Sequence, residues 1–374
     1  MATVFQFPYR TVVEISIPAL LKNLHLLRGA CRMEVIPVVK ADAYGHGMVM
    51  ISKALVKRGG CQMCAVATLE EGMELRKAMS HSAQILVLSG FMPHQLDAYL
   101  KYRLIPVVHH LGHLKALSDR RNLPELHLKI DSGMHRLGLL PDEVPEAARL
   151  LEKMGQKLAG IASHFAESEN PLSGFSDKQG QLFEEAVQVF REQRLLQTDA
   201  RIHVANSGGI LRTKCGSSNA VRSGIALYGI SPNPRLARAD DLLPILKWKA
   251  RVLYTKRIPK GGTIGYGRTY RAKREETVAL VNIGYADGFP RLLSNRGHVL
   301  IHGRRAPVRG IVSMDMIAVG VHHIPGVKEG SLVTLLGESG REKIDAWDVA
   351  HWAQTIPYEI LCGISPRVPK LYVD

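Results

Sequence analysis

Eight short apolar runs, each separated from the next by a stretch of helical spacing, constrain this chain more than any other feature. The runs are Val35–Lys40, Met63–Thr68, Ile85–Ser89, Ile105–His109, Leu126–Asp131, Leu158–His164, Ile202–Asn206 and Val221–Tyr228. Their length and their Val, Ile and Leu content read as buried strands. Between them lie amphipathic stretches such as Phe183, Val187 and Phe190, spaced i, i+4, i+7. Strands alternating with helices make parallel βα units. Eight is the number that closes a (β/α)8 TIM barrel. An open doubly wound sheet would carry a glycine-rich phosphate turn after its first strand. Here Lys40-Ala41-Asp42-Ala43-Tyr44 occupies that turn. The expected fold is α/β, with the barrel at residues 12–238.

After Pro232 the pattern changes. Asn233-Pro234-Arg235 and the polar run to Asp241 read as a linker. Short strand-like segments then recur at Thr277–Ile283, Val299–Ile301, Ala306–Val312 and Leu332–Leu336, separated by glycine-rich turns. These predict a mostly β second domain at residues 239–374. The first apolar run, Thr11–Ile17, lies outside the count of eight, and residues 1–17 are assigned to this second domain.

Composition excludes several classes. Hydrophobic residues at 46% and charged residues at 22% fit a globular chain. No apolar run approaches the roughly 20 residues of a membrane span, and Met1–Tyr9 lacks the regions of a signal peptide. A cytoplasmic protein without membrane partners is expected. The net charge of +15 raises nucleic-acid binding, but the basic residues are scattered and no nucleic-acid motif surrounds them. Anionic substrates or solubility account for the charge equally well, so no nucleic-acid partner is expected. Of the five cysteines, Cys61 and Cys64 form a CxxC with no second pair to complete a zinc set. Buried, reduced thiols and no metal site are expected.

In a TIM barrel, functional residues sit at the carboxyl ends of the strands. Lys40 ends the first run. Lys129-Ile130-Asp131-Ser132-Gly133-Met134-His135-Arg136 follows the fifth, and His164 ends the sixth. Asn206-Ser207-Gly208-Gly209 follows the seventh, and Arg222-Ser223-Gly224-Ile225 belongs to the eighth. A strand-end lysine is partly desolvated, which lowers its pKa and suits it to Schiff-base chemistry. Glycine-rich turns at the last two strands form the usual phosphate position of this fold. Lysine plus phosphate cradle points to pyridoxal 5′-phosphate (PLP). From spacing alone, a class I aldolase stays open. The second domain adds Gly265-Tyr266-Gly267-Arg268-Thr269-Tyr270, Gly284-Tyr285-Ala286-Asp287-Gly288 and Ser313-Met314-Asp315. A tyrosine between glycines sits where backbones approach closely, with its phenol free to enter a cavity.

These motifs, with Val38-Val39-Lys40-Ala41-Asp42-Ala43-Tyr44-Gly45-His46-Gly47 and Pro357-Tyr358-Glu359-Ile360, stand in an order that resembles the alanine racemase family of fold type III PLP enzymes. The resemblance runs from about Thr11 to Tyr372. It implies that Lys40 carries PLP and that Tyr266 is the second catalytic base. Ser207 and the amides of Gly224 and Ile225 would bind the phosphate, helped by Tyr44 and Tyr358. Arg222 would hydrogen-bond the pyridine nitrogen, with His164 against the cofactor and holding Arg222. Arg136 and Met314 would meet the substrate, Arg136 also tuning the Tyr266 phenol. Lys129, Tyr285 and Asp315 would support the site, Lys129 matching a position carbamylated in many members.

The resemblance further implies a homodimer in which Tyr266, Tyr285 and Met314 enter the partner's site. It implies interconversion of L- and D-alanine, supplying D-alanine for peptidoglycan. Racemisation of serine or another small amino acid is the alternative. A decarboxylase of the same fold type would need a catalytic cysteine region and a different phosphate loop, neither of which is present. The chain departs from the family at Ser223, where proline is usual.

Overall fold

The computed structural model describes residues 8–374. Residues 1–7, which begin both the segment tested for a signal peptide and the expected strand region 1–17, lie outside the described residues. The chain folds as two compact units. One comprises Ala19–Ala43 and Gly47–Leu243; the other comprises the N-terminal segment through Pro18, Tyr44–His46 and Pro244–Asp374. The first strand, β1 (Thr11–Ser16), belongs to the second of these.

The larger unit is the expected barrel. Its strands are β2 (Glu34–Pro37), β3 (Met63–Val66), β4 (Gln84–Val87), β5 (Ile105–Val108), β6 (His127–Lys129), β7 (Leu158–Ala162), β8 (Leu196–His203) and β9 (Ala220–Ser223). Strands β3 to β8 pair in sequence and in parallel, and β2 pairs in parallel with β9. The remaining gaps are bridged by hydrogen bonds. Val39 N–H donates to Ala65 O at 2.8 Å, and Arg222 N–H donates to Ala205 O at 3.0 Å. Val66, Leu86, Val108, Leu128 and Ile161 are wholly buried, one from each of five neighbouring strands. That burial on both faces is why these runs read as continuously apolar.

Strands β3 to β8 end one to three residues short of the expected runs, so His164 lies beyond the end of β7 at Ala162, and three further boundaries differ. Lys40 does not end a strand, because β2 stops at Pro37 and only Val38 continues as a bridge to Ala65. The last run ends at Ser223, and Gly224 turns the chain into a 3-10 turn at Ile225–Tyr228. Strand β8 starts earlier, at Leu196, through polar and partly exposed residues that mask its strand character.

The turn that carries Lys40 is left-handed. Ala41, Asp42, Ala43 and Tyr44 have φ of 51°, 52°, 54° and 54°, and Gly45 has 81°. Each non-glycine residue in that region costs about 1–2 kcal/mol. Hydrogen bonds offset this: Ala43 N–H to Val39 O at 2.9 Å and Gly47 N–H to Asp42 O at 2.8 Å. The Asp42 carboxylate also accepts from Met48 N–H at 2.7 Å.

In the second unit, β1 pairs antiparallel with β10 (Leu246–Ile258). A hairpin of β11 (Thr263–Ile264) and β12 (Tyr270–Arg271) follows. Then come β13 (Glu276–Val281), β14 (His298–Ile301), β15 (Arg304–Arg309), β16 (Ile317–Gly320), β17 (Leu332–Ser339), β18 (Glu342–Ile344) and β19 (Lys370–Val373). The sheet runs β18-β17-β14-β15-β16-β13-β10-β1-β19, and β17 also pairs with β10. That extra pairing closes a six-membered ring of strands and removes its open edges. Trp248 is buried, its indole N–H on Thr11 Oγ1 at 3.0 Å. Asp287, wholly buried, bonds Arg10 and Arg367. Within this unit Tyr372 Oη–H donates to His46 O at 3.1 Å. The described residues include no helix long and apolar enough to cross a membrane.

Candidate active site

Lys40 is half-buried and is placed by its neighbours' backbone. Tyr228 Oη–H donates to Val38 O at 2.8 Å, tying the preceding residues to the far side of the barrel. Just beyond the lysine, Ala41 N–H donates to Glu71 Oε1 at 2.7 Å. The other oxygen of that carboxylate accepts from Ala67 N–H at 2.7 Å. Glu71 also closes a capping box with Thr68 at the start of helix Leu69–Met79. Thr68-x-x-Glu71 is legible as a helix start; its grip on the lysine turn is not.

Arg222 is buried and faces no carboxylate. Its two terminal nitrogens donate to Ser163 O at 2.6 Å, His203 O at 2.8 Å, His164 Nδ1 at 2.9 Å and His203 Nδ1. The hydrogen bonds to the described residues all come from these two nitrogens and none from Nε–H. Burial pulls the guanidinium down to about 10, so it remains charged at neutrality. An arginine only donates, which orders the imidazoles beyond it. His203 accepts at Nδ1, so its proton sits on Nε2 and points to His127 Nδ1 at 2.9 Å. His127 then carries its own proton on Nε2, buried and unpaired among the described residues. Burial, then Arg222, holds His164 and His203 well below the ordinary histidine range. Burial, with Arg201 and Arg222, brings His127 to about 3. This relay of neutral rings is not legible from residue spacing. Its only trace in the sequence is His127 and His203 on otherwise apolar strands.

Four basic side chains converge here. Burial, with Arg222, Arg136 and Lys40 and against Asp131, lowers Lys129 to about 7. Lys40, Lys129, Arg136 and Arg222 all depress His164. At the last two strands, Ser207 Oγ accepts from Gly224 N–H at 3.1 Å and Ala226 N–H at 3.3 Å. Asn206 caps the short helix Ser207–Leu211 through Gly209 N–H at 3.1 Å. Gly208 has no room for a side chain, since a Cβ would lie 2.6 Å from Ser168 Oγ. The barrel unit thus brings together Lys40, Lys129, Arg136, His164, Ser207, Arg222, Gly224 and Ile225.

The other predicted residues lie in the second unit. The Tyr44 and Tyr358 rings stand 6.1 Å apart, and burial, then Tyr358 and Cys362, raises the Tyr44 phenol. The Tyr285 and Met314 segments run side by side: Tyr285 N–H donates to Ser313 O and Ala286 N–H to Met314 O, both at 3.0 Å. Asp315 pairs with Arg367 at 2.8 Å. Tyr266, Tyr285 and Met314 keep 72%, 43% and 53% of their surface exposed. All five cysteines are free; burial raises Cys61 to about 11 and Cys64 to about 12, leaving inert thiols. Among the described residues no group of three or more His, Cys, Asp or Glu could hold a metal ion.

A concentration of cations with a spare arginine donor and a glycine-lined serine turn fits a compound bearing a phosphate, a carboxylate and a ring acceptor. PLP with an amino acid is such a combination. Two family models match the chain: alanine racemase, N-terminal domain, over residues 15–232, and alanine racemase, C-terminal domain, over residues 245–372. The alanine racemase of Halothermothrix orenii is 40% identical, the match covering 97% of this chain and 96% of the relative. Among solved structures, alanine racemase from Bacillus anthracis with bound L-Ala-P superposes with a TM-score of 0.89 at 34% identity, covering 98% of this chain and 96% of that one. Alanine racemase from Bartonella henselae, which carries covalently bound pyridoxal phosphate, gives 0.88 at 30% identity, covering 98% and 100%. The chain belongs to the alanine racemase family.

Proposed function

We propose that the protein is a PLP-dependent alanine racemase that interconverts L- and D-alanine and supplies D-alanine for peptidoglycan. The observation that carries this reading is the gathering of Lys40, Lys129, Arg136 and Arg222 around His164 at one end of the barrel. When bound, PLP takes up the electron pair left behind as an α-proton departs. Lys40 would hold the resting cofactor through Nζ, and the incoming substrate amine would displace that nitrogen and free it to act as a base. Ser207, the amides of Gly224 and Ile225, Tyr44 and Tyr358 would hold its phosphate, and His164 would pack against the cofactor. Arg222 would donate to the cofactor's ring nitrogen. Arginine keeps its proton, so that nitrogen stays an acceptor and the ring a weak electron sink, which favours racemisation over transamination.

Inversion needs a proton removed from one face and another delivered to the opposite face. Lys40 Nζ moves the proton on one face. Tyr266 of the partner subunit moves it on the other, in a homodimer that also places Tyr285 of the partner subunit and Met314 of the partner subunit at the site. The exposure of all three in their own subunit supports this arrangement. Arg136 orients the substrate carboxylate and tunes the phenol, and Asp315 steadies the segment that carries Met314. Lys129, near 7, is available at neutrality as the uncharged amine that takes up CO2. The resulting carbamate is an anion that steadies Arg136. We place the enzyme in the cytoplasm.

The test is incubation of the pure protein with L-alanine or L-serine in D2O, following optical rotation and α-deuterium incorporation. Alanine is expected to invert much faster than serine. Lys40→Ala should lose the visible absorbance of the bound cofactor together with activity. Full activity in Tyr266→Phe would refute the two-base assignment, and faster inversion of serine would refute the substrate.

A further inference from the structure

We propose that Asn295 and Thr269 form a clamp that positions the Tyr266 phenol, a role that rests on the two-base reading above. Because Tyr266 is 72% exposed, packing within its own subunit does not aim the ring. Its direction is therefore set by the backbone of the loop Gly265–Thr269. Gly265 and Gly267, at φ of 72° and 64°, take positive φ freely, but Arg268 at 50° does so at a cost. A loop in such a conformation needs outside contacts to hold it.

At its base, Ile264 and Ala272 pack in a small core with Ile258, Val278 and Ala318. At the loop's C-terminal end, immediately before β12, Asn295 Nδ2–H donates to Thr269 Oγ1 at 3.0 Å. The same side chain accepts at Oδ1 from Gly310 N–H at 2.6 Å. Gly310 lies directly under the hairpin, where a Cβ would come 2.6 Å from Ile264 O. The next residue, Ile311, lies 3.6 Å from a Cβ built on Gly265 and 3.8 Å from one built on Gly267. One amide side chain thus links the C-terminal end of the tyrosine loop, three residues from Tyr266, to the segment on which the loop rests. Asn295 is itself held: its φ is 58°, and Ser294 Oγ accepts from Val312 N–H at 3.0 Å. Asparagine tolerates that left-handed geometry and supplies both a donor and an acceptor.

The geometry predicts a face-specific defect. L- and D-alanine have equal free energies, so any loss of inversion is equal in both directions. The two faces separate only in exchange without inversion. An enzyme with a misplaced Tyr266 still lets Lys40 exchange the α-proton of one enantiomer with solvent and return it with retention.

The experiment compares Asn295→Gly, Thr269→Val and Thr269→Ser holoenzymes with wild type and Tyr266→Phe. Glycine is chosen at position 295 because it keeps the left-handed backbone. In D2O, inversion should fall on the order of 10- to 100-fold in Asn295→Gly and Thr269→Val. Deuterium exchange with retention should persist for one enantiomer, and Thr269→Ser should restore inversion. Amide hydrogen exchange over Gly265–Thr269 should quicken in the first two variants with no change in unfolding temperature. Equal loss of inversion and retention exchange for both enantiomers, or unchanged amide exchange, would overturn the clamp. Inversion lost in Tyr266→Phe but intact in Asn295→Gly and Thr269→Val would overturn the clamp alone. Inversion intact in Tyr266→Phe would overturn the two-base reading, and the clamp with it.

Discussion

Replacing Lys129 by methionine should make the protein more stable in acid and leave it unchanged in alkali. Methionine is close in length, fills the same space and carries no charge. The lysine falls from an ordinary 10.5 to about 7 because it is buried beside Arg222, Arg136 and Lys40. Below about pH 7 the amine is protonated both folded and unfolded, so the full cost of burying the cation is present. Between 7 and 10.5 the folded protein sheds this proton while the unfolded chain keeps it, and stability rises with pH. Above that range the group contributes nothing. The interval between the two values, at about 1.4 kcal/mol per pH unit, sets a ceiling of about 5 kcal/mol. The side chain keeps some solvent contact, so about half of that is expected. Urea titration of cofactor-free protein, purged of CO2, at about pH 6 and pH 10 reads the difference. Bicarbonate near neutrality should stabilise the wild type and not the variant, since about half of the wild-type amine is then uncharged, against roughly 1 in 3,000 for an ordinary lysine. An equal gain at both pH values, or a loss at the lower one, would refute the claim that buried charge dominates this site.

Two further outcomes follow from packing. Gly45→Ala should destabilise by about 3 kcal/mol or more, because its φ of 81° disfavours a side chain and a Cβ would overlap the Leu361 carbonyl; denaturant midpoints read this, and a change under 1 kcal/mol would contradict it. Asp287→Asn should cost about 3 kcal/mol by leaving Arg10 and Arg367 without their shared buried anion, and the loss should shrink when Arg10→Gln is added, as a double-mutant cycle measures.

Much of the barrel was legible because burial on two faces leaves a strong local trace. Runs such as Met63-Cys64-Ala65-Val66 announce themselves, and the position of polar residues at their ends marks the working face. Strand β8 reads from the sequence as starting late because Gln197, Thr198 and Asp199 look like loop. Long-range contacts leave no such trace. Nothing near Glu71 says that its carboxylate holds Ala41, and nothing near Asn295 says that it reaches Thr269. The one-way order of the His127–His203–Arg222 relay follows from donor counting, which requires the distances first.

The left-handed turn after Lys40 bears on whether this site can be moved. Ala41, Asp42, Ala43 and Tyr44 have no intrinsic preference for that hand, and four such residues cost roughly 4–8 kcal/mol together. The handedness is stored in what holds them: the Glu71 carboxylate, the Val39 carbonyl, and the bonds that Asp42 accepts from Gly47 and Met48. Grafted alone onto another barrel, the segment from Val38 to Gly47 would relax to the ordinary right-handed form and carry the lysine amine to a different place. The transplantable unit includes the helix that begins at Leu69.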